Sequence, residues 1–152
     1  MSKRTLNKKE VRDLTLDFFD LDKDNNPIIE EIEERGKPKI LVIDKVPIAV
    51  QHEGRWIATL KGIRKPIKKI SVDEGAIKFV LAGAHIMRPG ITKIEDGIQK
   101  DEVVIILDHN NKPLATGIAL FTSEEMKAMA KGKVIVNVHQ INDWIWNYNS
   151  IQ

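Results

Sequence analysis

A run of nineteen residues in the middle of the chain, residues 73–91 (DEGAIKFVLAGAHIMRPGI), constrains the fold more than any other segment. Ser71 and Glu74 stand in the S/T-x-x-E spacing of a capping box, which predicts a helix beginning near Val72. Apolar residues inside the run fall on one helical face, namely Ala76, Ile77, Val80 and Leu81. Gly83 predicts the end of this helix, because glycine readily adopts the left-handed backbone that ends many helices.

The residues after Gly83 predict an extended segment and then a turn. Residues 84–87 can leave the helix as a short strand, and Pro89-Gly90 turns the chain again. A helix that ends on glycine and runs into a strand and a turn can leave main-chain N–H groups free to donate to a phosphate. We therefore expect a binding site that acts through the main chain, although a plain helix end would need no ligand.

The first half of the chain mixes helix and strand signals. Asn7 and Glu10 have capping-box spacing, which predicts a first helix. Its apolar stripe would consist of Val11, Leu14, Phe18 and Leu21. Asn26-Pro27 predicts the start of a second helix that ends at Arg35, before Gly36. Three predicted strands follow, at residues 40–43, 46–50 and 56–60, with a turn at residues 52–54.

The second half continues with strands and one more helix. Thr122 and Glu125 have capping-box spacing, and Gly132 fits the end of that helix. Residues 109–112 (HNNK) predict a hairpin loop between two apolar strands. Three aromatic residues near the C-terminus alternate with strand spacing, which places them on one face for core packing or for base stacking: Trp144, Trp146 and Tyr148.

Composition is that of a globular protein with one domain or two small ones. Of the 152 residues, 42% are hydrophobic and 30% charged, and no apolar stretch approaches the ~20 residues needed to cross a bilayer. We divide the chain into an α+β domain of residues 1–70 and a mostly β domain of residues 71–152. The charged N-terminus does not resemble a secretory signal, which predicts a cytoplasmic protein. Because cysteine is absent, disulfides, cysteine zinc sites and thiol nucleophiles are excluded.

Charge is distributed unevenly along the chain. Residues 1–72 hold 16 Lys and Arg against 12 Asp and Glu, a net charge of +4, whereas residues 73–152 hold 8 against 10, a net charge of −2. Six bases lie between residues 54 and 72 without one acid among them: Arg55, Lys61, Arg64, Lys65, Lys68 and Lys69. Such a stretch favours a polyanion such as RNA, although lysine also protects exposed strand edges. Residues 13–34, in contrast, hold nine acids and one base.

Patterns for catalysis and metal binding are weak or missing. Residues 20–31 have the acidic spacing of an EF-hand, but Asn25 stands where the loop needs glycine, and Pro27 looks like a helix start. The four histidines show no metal-ligand spacing, so we expect no metal. Phosphate-loop, dinucleotide-binding and G-x-S-x-G patterns are absent, and we expect neither a cofactor nor catalytic residues.

Four segments of the second half together resemble one known family. They are residues 75–90 (GAIKFVLAGAHIMRPG), 101–108 (DEVVIILD), 113–122 (PLATGIALFT) and 134–148 (VIVNVHQINDWIWNY). The closing His139, Asn142-Asp143 and Trp146 are similar to the end of PUA domains, which are small β-barrel-like RNA-binding modules. The subgroup that the chain resembles is the malignant T-cell-amplified sequence proteins of translation, with ligatin as a larger relative. Residues 1–70 match only in their order of elements.

The resemblance implies both a fold and a function. The fold is an α+β N-terminal (pre-PUA) domain followed by a PUA-like β-barrel with two short helices. The function is non-catalytic RNA binding in the translation machinery, by docking on small-subunit rRNA or tRNA during initiation, re-initiation or ribosome recycling. A protein partner with an initiation-factor-like domain would contact the N-terminal domain, and the lack of cysteine argues against a metal-supported contact.

Two other functions stay open at this point. One is an RNA-targeting accessory subunit of a tRNA- or rRNA-modification or ribosome-biogenesis complex. The other is a protein-interaction module that uses the acidic residues 13–34 and has little affinity for RNA.

The expected RNA site centres on residues 83–90. The small residues Gly83 and Ala84 would let RNA approach the main chain, and Arg88 could bind a phosphate in a forked geometry or stack on a base. The basic stretch before the helix would add a salt-sensitive attraction to phosphates. The complete set of expected RNA-binding residues is Lys65, Lys68, Lys69, Lys78, Gly83, Ala84, His85, Met87, Arg88, Pro89 and Gly90.

Overall fold

The computed structural model describes residues 1–148, which form two compact units. The first consists of residues 1–66 together with residues 144–148, and the second is Ile67–Asp143. The domain extents expected from the sequence, residues 1–70 and 71–152, stay a prediction, and residues 149–152 lie outside the described part of the chain. No helix among residues 1–148 is long and apolar enough to cross a membrane.

The first unit is built on a five-stranded antiparallel sheet. Its strands are β1 (Ser2–Thr5), β2 (Ile29–Glu33), β3 (Ile40–Ile43), β4 (Val46–His52) and β5 (Arg55–Ala58), and they pair in that order. A short helix, α1 (Lys8–Asp13), follows β1, and a 3₁₀ turn spans Lys23–Asn25. Side chains from β2, β3, β4 and β5 form the core of this unit, with Leu16 and Phe18 packed against them. The three strands predicted between residues 40 and 60 are confirmed as β3, β4 and β5.

Helix α1 begins where the capping box predicts but is shorter than expected. The Asn7 Oδ1 atom accepts a hydrogen bond from the Glu10 N–H (2.9 Å), and the Glu10 carboxylate accepts one from the Asn7 N–H (3.0 Å). Leu14 already has an extended backbone, with φ −74° and ψ 127°, so the helix ends at Asp13. The helical stripe predicted to continue through Leu14 and Phe18 to Leu21 is therefore wrong beyond Asp13.

The second predicted helix is wrong, because residues 29–33 form strand β2. Asn26 takes a left-handed backbone conformation, with φ 50°, at the end of the 3₁₀ turn Lys23–Asn25, and it does not begin a helix. Ile29 and Ile32 have a spacing compatible with a helix, yet in β2 they point to opposite faces and both are buried. Since β2 lies between β1 and β3, hydrogen-bonded pairing on both sides outweighs the local helix signal.

The second unit is a barrel-like sheet of six strands with two short helices, so the predicted fold class is confirmed. In chain order its elements are β6 (Lys68–Val72), α2 (Glu74–Leu81), β7 (Ile86–Met87), β8 (Ile91–Ile94), β9 (Val103–Leu107), β10 (Pro113–Ala119), α3 (Ser123–Ala128) and β11 (Lys133–Gln140). The strands pair in the order β7-β11-β10-β9-β6-β8, with β6 and β9 parallel and the other pairs antiparallel. Aliphatic side chains from these strands and from α2 fill the core.

The loop between β9 and β10 is the hairpin predicted at residues 109–112. The Asp108 Oδ1 atom closes it by accepting hydrogen bonds from the N–H groups of Asn110 (2.8 Å) and Lys112 (2.9 Å). The bond from Lys112, followed by that from Asn110, holds the pKa of Asp108 below its usual value. The negative charge of Asp108 therefore stabilises this hairpin, although the residue itself is buried.

The two helices of this unit are capped differently from one another. Asp73 caps α2, since its Oδ1 atom accepts a hydrogen bond from the Ala76 N–H at 2.9 Å, and the capping role predicted for Ser71 is wrong because Ser71 lies in β6. The capping box at the start of α3 is confirmed. That helix ends at Ala128, so Gly132 is not its terminal residue.

The chain after β11 does not form the strand that the alternating aromatic residues predicted. Strand β11 ends at Gln140, and residues 141–147 are turns and bends. Trp146 is half-buried, and its carbonyl oxygen accepts a hydrogen bond from the Lys61 ammonium group at 3.0 Å. The same ammonium group lies 4.6 Å from the centre of the Trp146 ring, so this aromatic residue has a packing role within the first unit.

Candidate functional site

The C-terminal end of α2 forms a tightly bonded turn. Gly83 has φ +92°, and its N–H donates to the Val80 carbonyl oxygen (3.0 Å), while the Ala84 N–H donates to the Phe79 carbonyl oxygen (2.9 Å). These two bonds are those of a Schellman motif. The expectation that these N–H groups are free for a phosphate is therefore wrong. We call residues 78–90, with the facing part of β11, the helix-end surface.

An apolar cleft of about 260 Å³ opens on the helix-end surface, between α2 and β7. It is lined by Val72, Ala76, Phe79, Val80, Ala84, His85, Ile86, Met87 and Gly90. Phe79 is 58% exposed and Met87 is 50% exposed, although both are large apolar side chains. Such exposure is costly in water unless a ligand covers it, so the cleft is the best candidate for a binding site in this unit.

His85 is held at the cleft by Asn137 of β11. Its Nδ1 atom accepts a hydrogen bond from the Asn137 main-chain N–H at 3.0 Å. The Asn137 side-chain amide donates to the carbonyl oxygens of Val80 and Ala84, each at 3.0 Å. The turn at the end of α2 and the His85 ring are therefore fixed by the same residue.

Arg88 points its guanidinium group towards main-chain carbonyls. Its Nε donates to the Met126 carbonyl oxygen (2.6 Å) and its Nη1 to that of Ile91 (3.4 Å), while its own N–H donates to the Gly132 carbonyl oxygen (2.8 Å). These bonds link the 3₁₀ turn after β7, Arg88–Gly90, to α3, to β8 and to the residue before β11. Arg88 thus has a structural role in addition to the RNA contact expected of it.

The expected lysines differ in how their charges are balanced. Lys65 forms an ion pair with Asp20 (2.9 Å), and Lys68 forms one with Glu102 (3.3 Å). The ammonium groups of Lys69 and Lys78 have no carboxylate partner among residues 1–148, and both residues are exposed. Lys78 lies against the Phe79 ring, with its ammonium group 5.1 Å from the ring centre. A run of bases that is uninterrupted in sequence is thus partly neutralised in the folded chain.

Three residues of the helix-end surface were missed by the sequence analysis. Phe79 could have been found, because it is an aromatic residue outside the apolar stripe of α2. Lys133 is exposed and faces Met87 across the β7–β11 pair, and Asn137 lies further along β11. These two are separated from α2 by more than 40 residues, and only the strand pairing brings them to the site.

Metal ligands do not cluster anywhere in residues 1–148, where no group of three His, Cys, Asp or Glu side chains could hold an ion. Glu31, which occupies the last position of the EF-hand-like spacing, is paired with Arg4 (2.9 Å) and Lys39 (3.7 Å). Its carboxylate therefore neutralises cations of the chain itself.

The second unit is a PUA domain, since the family model described as PUA domain matches residues 68–141. An uncharacterized protein of Methanocaldococcus jannaschii, MJ1432, is 42% identical over 114 residues, which cover 72% of this chain and 70% of that protein. Translation machinery-associated protein 20 of Saccharomyces cerevisiae is 34% identical over 131 residues, covering 80% of this chain and 72% of the yeast protein.

The fold of the whole chain also matches a solved structure. The crystal structure of hypothetical protein PH0734.1 from Pyrococcus horikoshii superimposes with a TM-score of 0.76 at 26% sequence identity, covering 96% of this chain and 98% of the other. Malignant T-cell-amplified sequence proteins are also among the relatives, and matches to them span less than two thirds of their length. The chain belongs to the PUA-domain family that contains Translation machinery-associated protein 20 and the malignant T-cell-amplified sequence proteins, and the predicted resemblance is confirmed.

Proposed function

We propose that this protein is a non-catalytic RNA-binding component of the translation machinery. Its helix-end surface would dock on small-subunit rRNA or on tRNA, in initiation, re-initiation or ribosome recycling in the cytoplasm. The observation that carries the proposal is the pair of exposed apolar residues, Phe79 and Met87, on a cleft of a PUA domain. The name of the yeast relative supports a role in translation.

The chemistry of the helix-end surface suits an unpaired part of a folded RNA. A nucleobase has an apolar face that can stack on Phe79, whereas a phosphate suits the exposed ammonium groups of Lys78 and Lys133. Gly83 and Ala84 would allow close approach of the sugar-phosphate backbone. His85, Met87, Pro89 and Gly90 would line the contact, while Lys69 would add attraction at longer range.

A protein partner remains part of the proposal. A factor with an initiation-factor-like domain would contact the first unit. The acidic residues 13–34 offer less free charge for such a contact than the sequence suggested, because Glu30 pairs with Lys3 (3.8 Å) and Glu33 with Lys39 (3.1 Å). Nothing in the described residues favours the protein-interaction function over RNA binding.

The test is binding of the purified chain to small ribosomal subunits and to bulk tRNA, measured by fluorescence anisotropy with labelled protein. Phe79→Ala should weaken binding by about 5- to 150-fold, the range for loss of one base-aromatic stack. Ile28→Ala is the matched control, because Ile28 is 60% exposed and lies in the first unit. Failure of the folded wild-type protein to bind either RNA would overturn the proposal, as would equal losses in the two variants.

A further inference from the structure

Asn137 occupies an irregular position of the β-sheet. In the β10–β11 pair, Thr116 faces His139 and Gly117 faces Asn137, so Val138 is an extra residue that forms a bulge. On the other side of β11, pairing with β7 stops at Ile135, which faces Ile86. The Asn137 N–H therefore lies past the end of this pairing, where the His85 ring accepts its hydrogen bond in place of a main-chain carbonyl.

The Asn137 side chain uses both of its amide N–H groups as hydrogen-bond donors. Both neighbours of Nδ2 are carbonyl oxygens, those of Val80 and Ala84, and carbonyl oxygens can only accept. The orientation of the amide follows from this, because the reverse orientation would place Oδ1 against two other oxygens. The Oδ1 atom is buried and has no hydrogen-bond partner among residues 1–148. The Asn137 amide therefore stabilises this region through its two N–H donors, although its Oδ1 acceptor stays unsatisfied.

These contacts determine how His85 can meet a ligand. Since Nδ1 accepts a hydrogen bond from a main-chain N–H, a neutral His85 ring carries its proton on Nε2. The Nε2 atom has no partner among the described residues, and His85 is exposed at the cleft. A His85 ring fixed in this way has one N–H group, on Nε2, that can donate to a ligand in the cleft.

We propose that Asn137 is a positioning residue of the RNA site, because its side-chain amide fixes the end of α2 and its main-chain N–H holds His85 in the Nε2–H tautomer. His85 then donates one hydrogen bond to an acceptor atom of the RNA, either a phosphate oxygen or a base acceptor. This inference rests on the proposed function, and it adds a preference for an RNA acceptor at this point of the cleft. Asn137 itself acts through His85 and through the turn at Gly83.

The tautomer is measured first, in the free protein at pH 8. Long-range ¹H–¹⁵N NMR spectra should show His85 with its proton on Nε2 in the wild-type protein. Asn137→Ala keeps the main-chain N–H but loses the two side-chain bonds that fix the turn before His85, so this variant should show a mixture of tautomers. Asn111→Ala is the matched control, since Asn111 lies in the β9–β10 hairpin loop of the same unit and should leave the His85 signals unchanged. A wild-type His85 protonated on Nδ1 would overturn the inference without any RNA experiment.

A double-mutant cycle on RNA affinity tests the link between the two residues. Asn137→Ala and His85→Phe should each weaken binding by about 3- to 10-fold, the value of one hydrogen bond to a ligand. The double variant should lose no more than the stronger single variant, because Asn137→Ala releases the turn that positions His85 and His85→Phe removes the donor itself, so both changes affect the same RNA contact. Additive losses would show that Asn137 acts independently of His85 and would overturn the inference.

The outcomes separate this inference from the proposed function. Wild-type binding that survives both single substitutions would overturn the inference and leave RNA binding in place. No wild-type binding would overturn both the proposed function and the RNA contact of His85, while the NMR measurement would still decide the Asn137–His85 geometry. If Asn137→Ala does not fold, Asn137→Ser, which retains one donor, replaces it and should give an intermediate loss.

Discussion

The salt dependence of RNA binding should come mainly from lysines that have no carboxylate partner. We compare two double variants, Lys69→Gln with Lys78→Gln and Lys65→Gln with Lys68→Gln, which remove the same formal charge. The first pair removes ammonium groups that are exposed and unpaired within residues 1–148. The second pair removes ammonium groups that lie 2.9 Å from Asp20 and 3.3 Å from Glu102.

The expected magnitude follows from counterion release. Each ammonium group that binds a phosphate contributes about 0.7 to 0.9 to the slope of log affinity against log salt concentration. Loss of two such contacts should therefore flatten the slope by about 1.4 to 1.8. From 50 to 200 mM salt, the wild-type protein should lose about 7- to 12-fold more affinity than the Lys69→Gln, Lys78→Gln variant. An ion pair is nearly neutral as a unit, so the other double variant should change the slope by less than about 0.7.

The assay is a titration of labelled protein with small ribosomal subunits, and separately with tRNA, at five salt concentrations. Thermal unfolding of each variant checks that the fold is retained. Equal changes of slope in the two double variants would refute the reasoning, because the positions of the carboxylates would then be irrelevant. A larger change for the Lys65 and Lys68 variant would show that RNA displaces Asp20 and Glu102 from their lysines.

Two further predictions concern stability. Arg88→Gln should destabilise the fold by about 2 kcal/mol in denaturant titrations, because charged hydrogen bonds to two main-chain carbonyls are lost. The control is Lys93→Gln, which changes an exposed residue of β8 and should have little effect on stability. Weaker RNA binding with unchanged stability would contradict the structural role of Arg88. Asp108→Asn should destabilise the fold at pH 7, and the difference from wild type should shrink as the pH falls below about 4, because a carboxylate with a lowered pKa stabilises the fold only while it is ionised. A difference that is constant from pH 7 to pH 3 would contradict this account.

The sequence predicted correctly those elements that are determined by residues only a few positions apart in the chain. The capping boxes of α1 and α3 depend on side chains three residues apart, and both are present. The prediction for residues 29–33 was wrong because the conformation of β2 depends on pairing with β1, and the paired residues lie 25 to 31 positions apart in the chain. No local pattern reports such a partner, so the prediction followed Asn26-Pro27 and gave a helix.

The same argument applies to the candidate site. Sequence reasoning located the glycine turn at the end of α2 but assigned its N–H groups to a phosphate, and two of them bond to α2 itself. A Schellman turn leaves little for a ligand to bind in the main chain. Under the proposed function, recognition rests on side chains, and those of Lys78, Phe79, His85 and Met87 are exposed at this place. Their use depends on β11, which contributes Lys133 beside Met87 and Asn137 behind His85. The site therefore depends on the pairing of β11 with β7 as much as on the end of α2, and only the end of α2 could be predicted from the sequence.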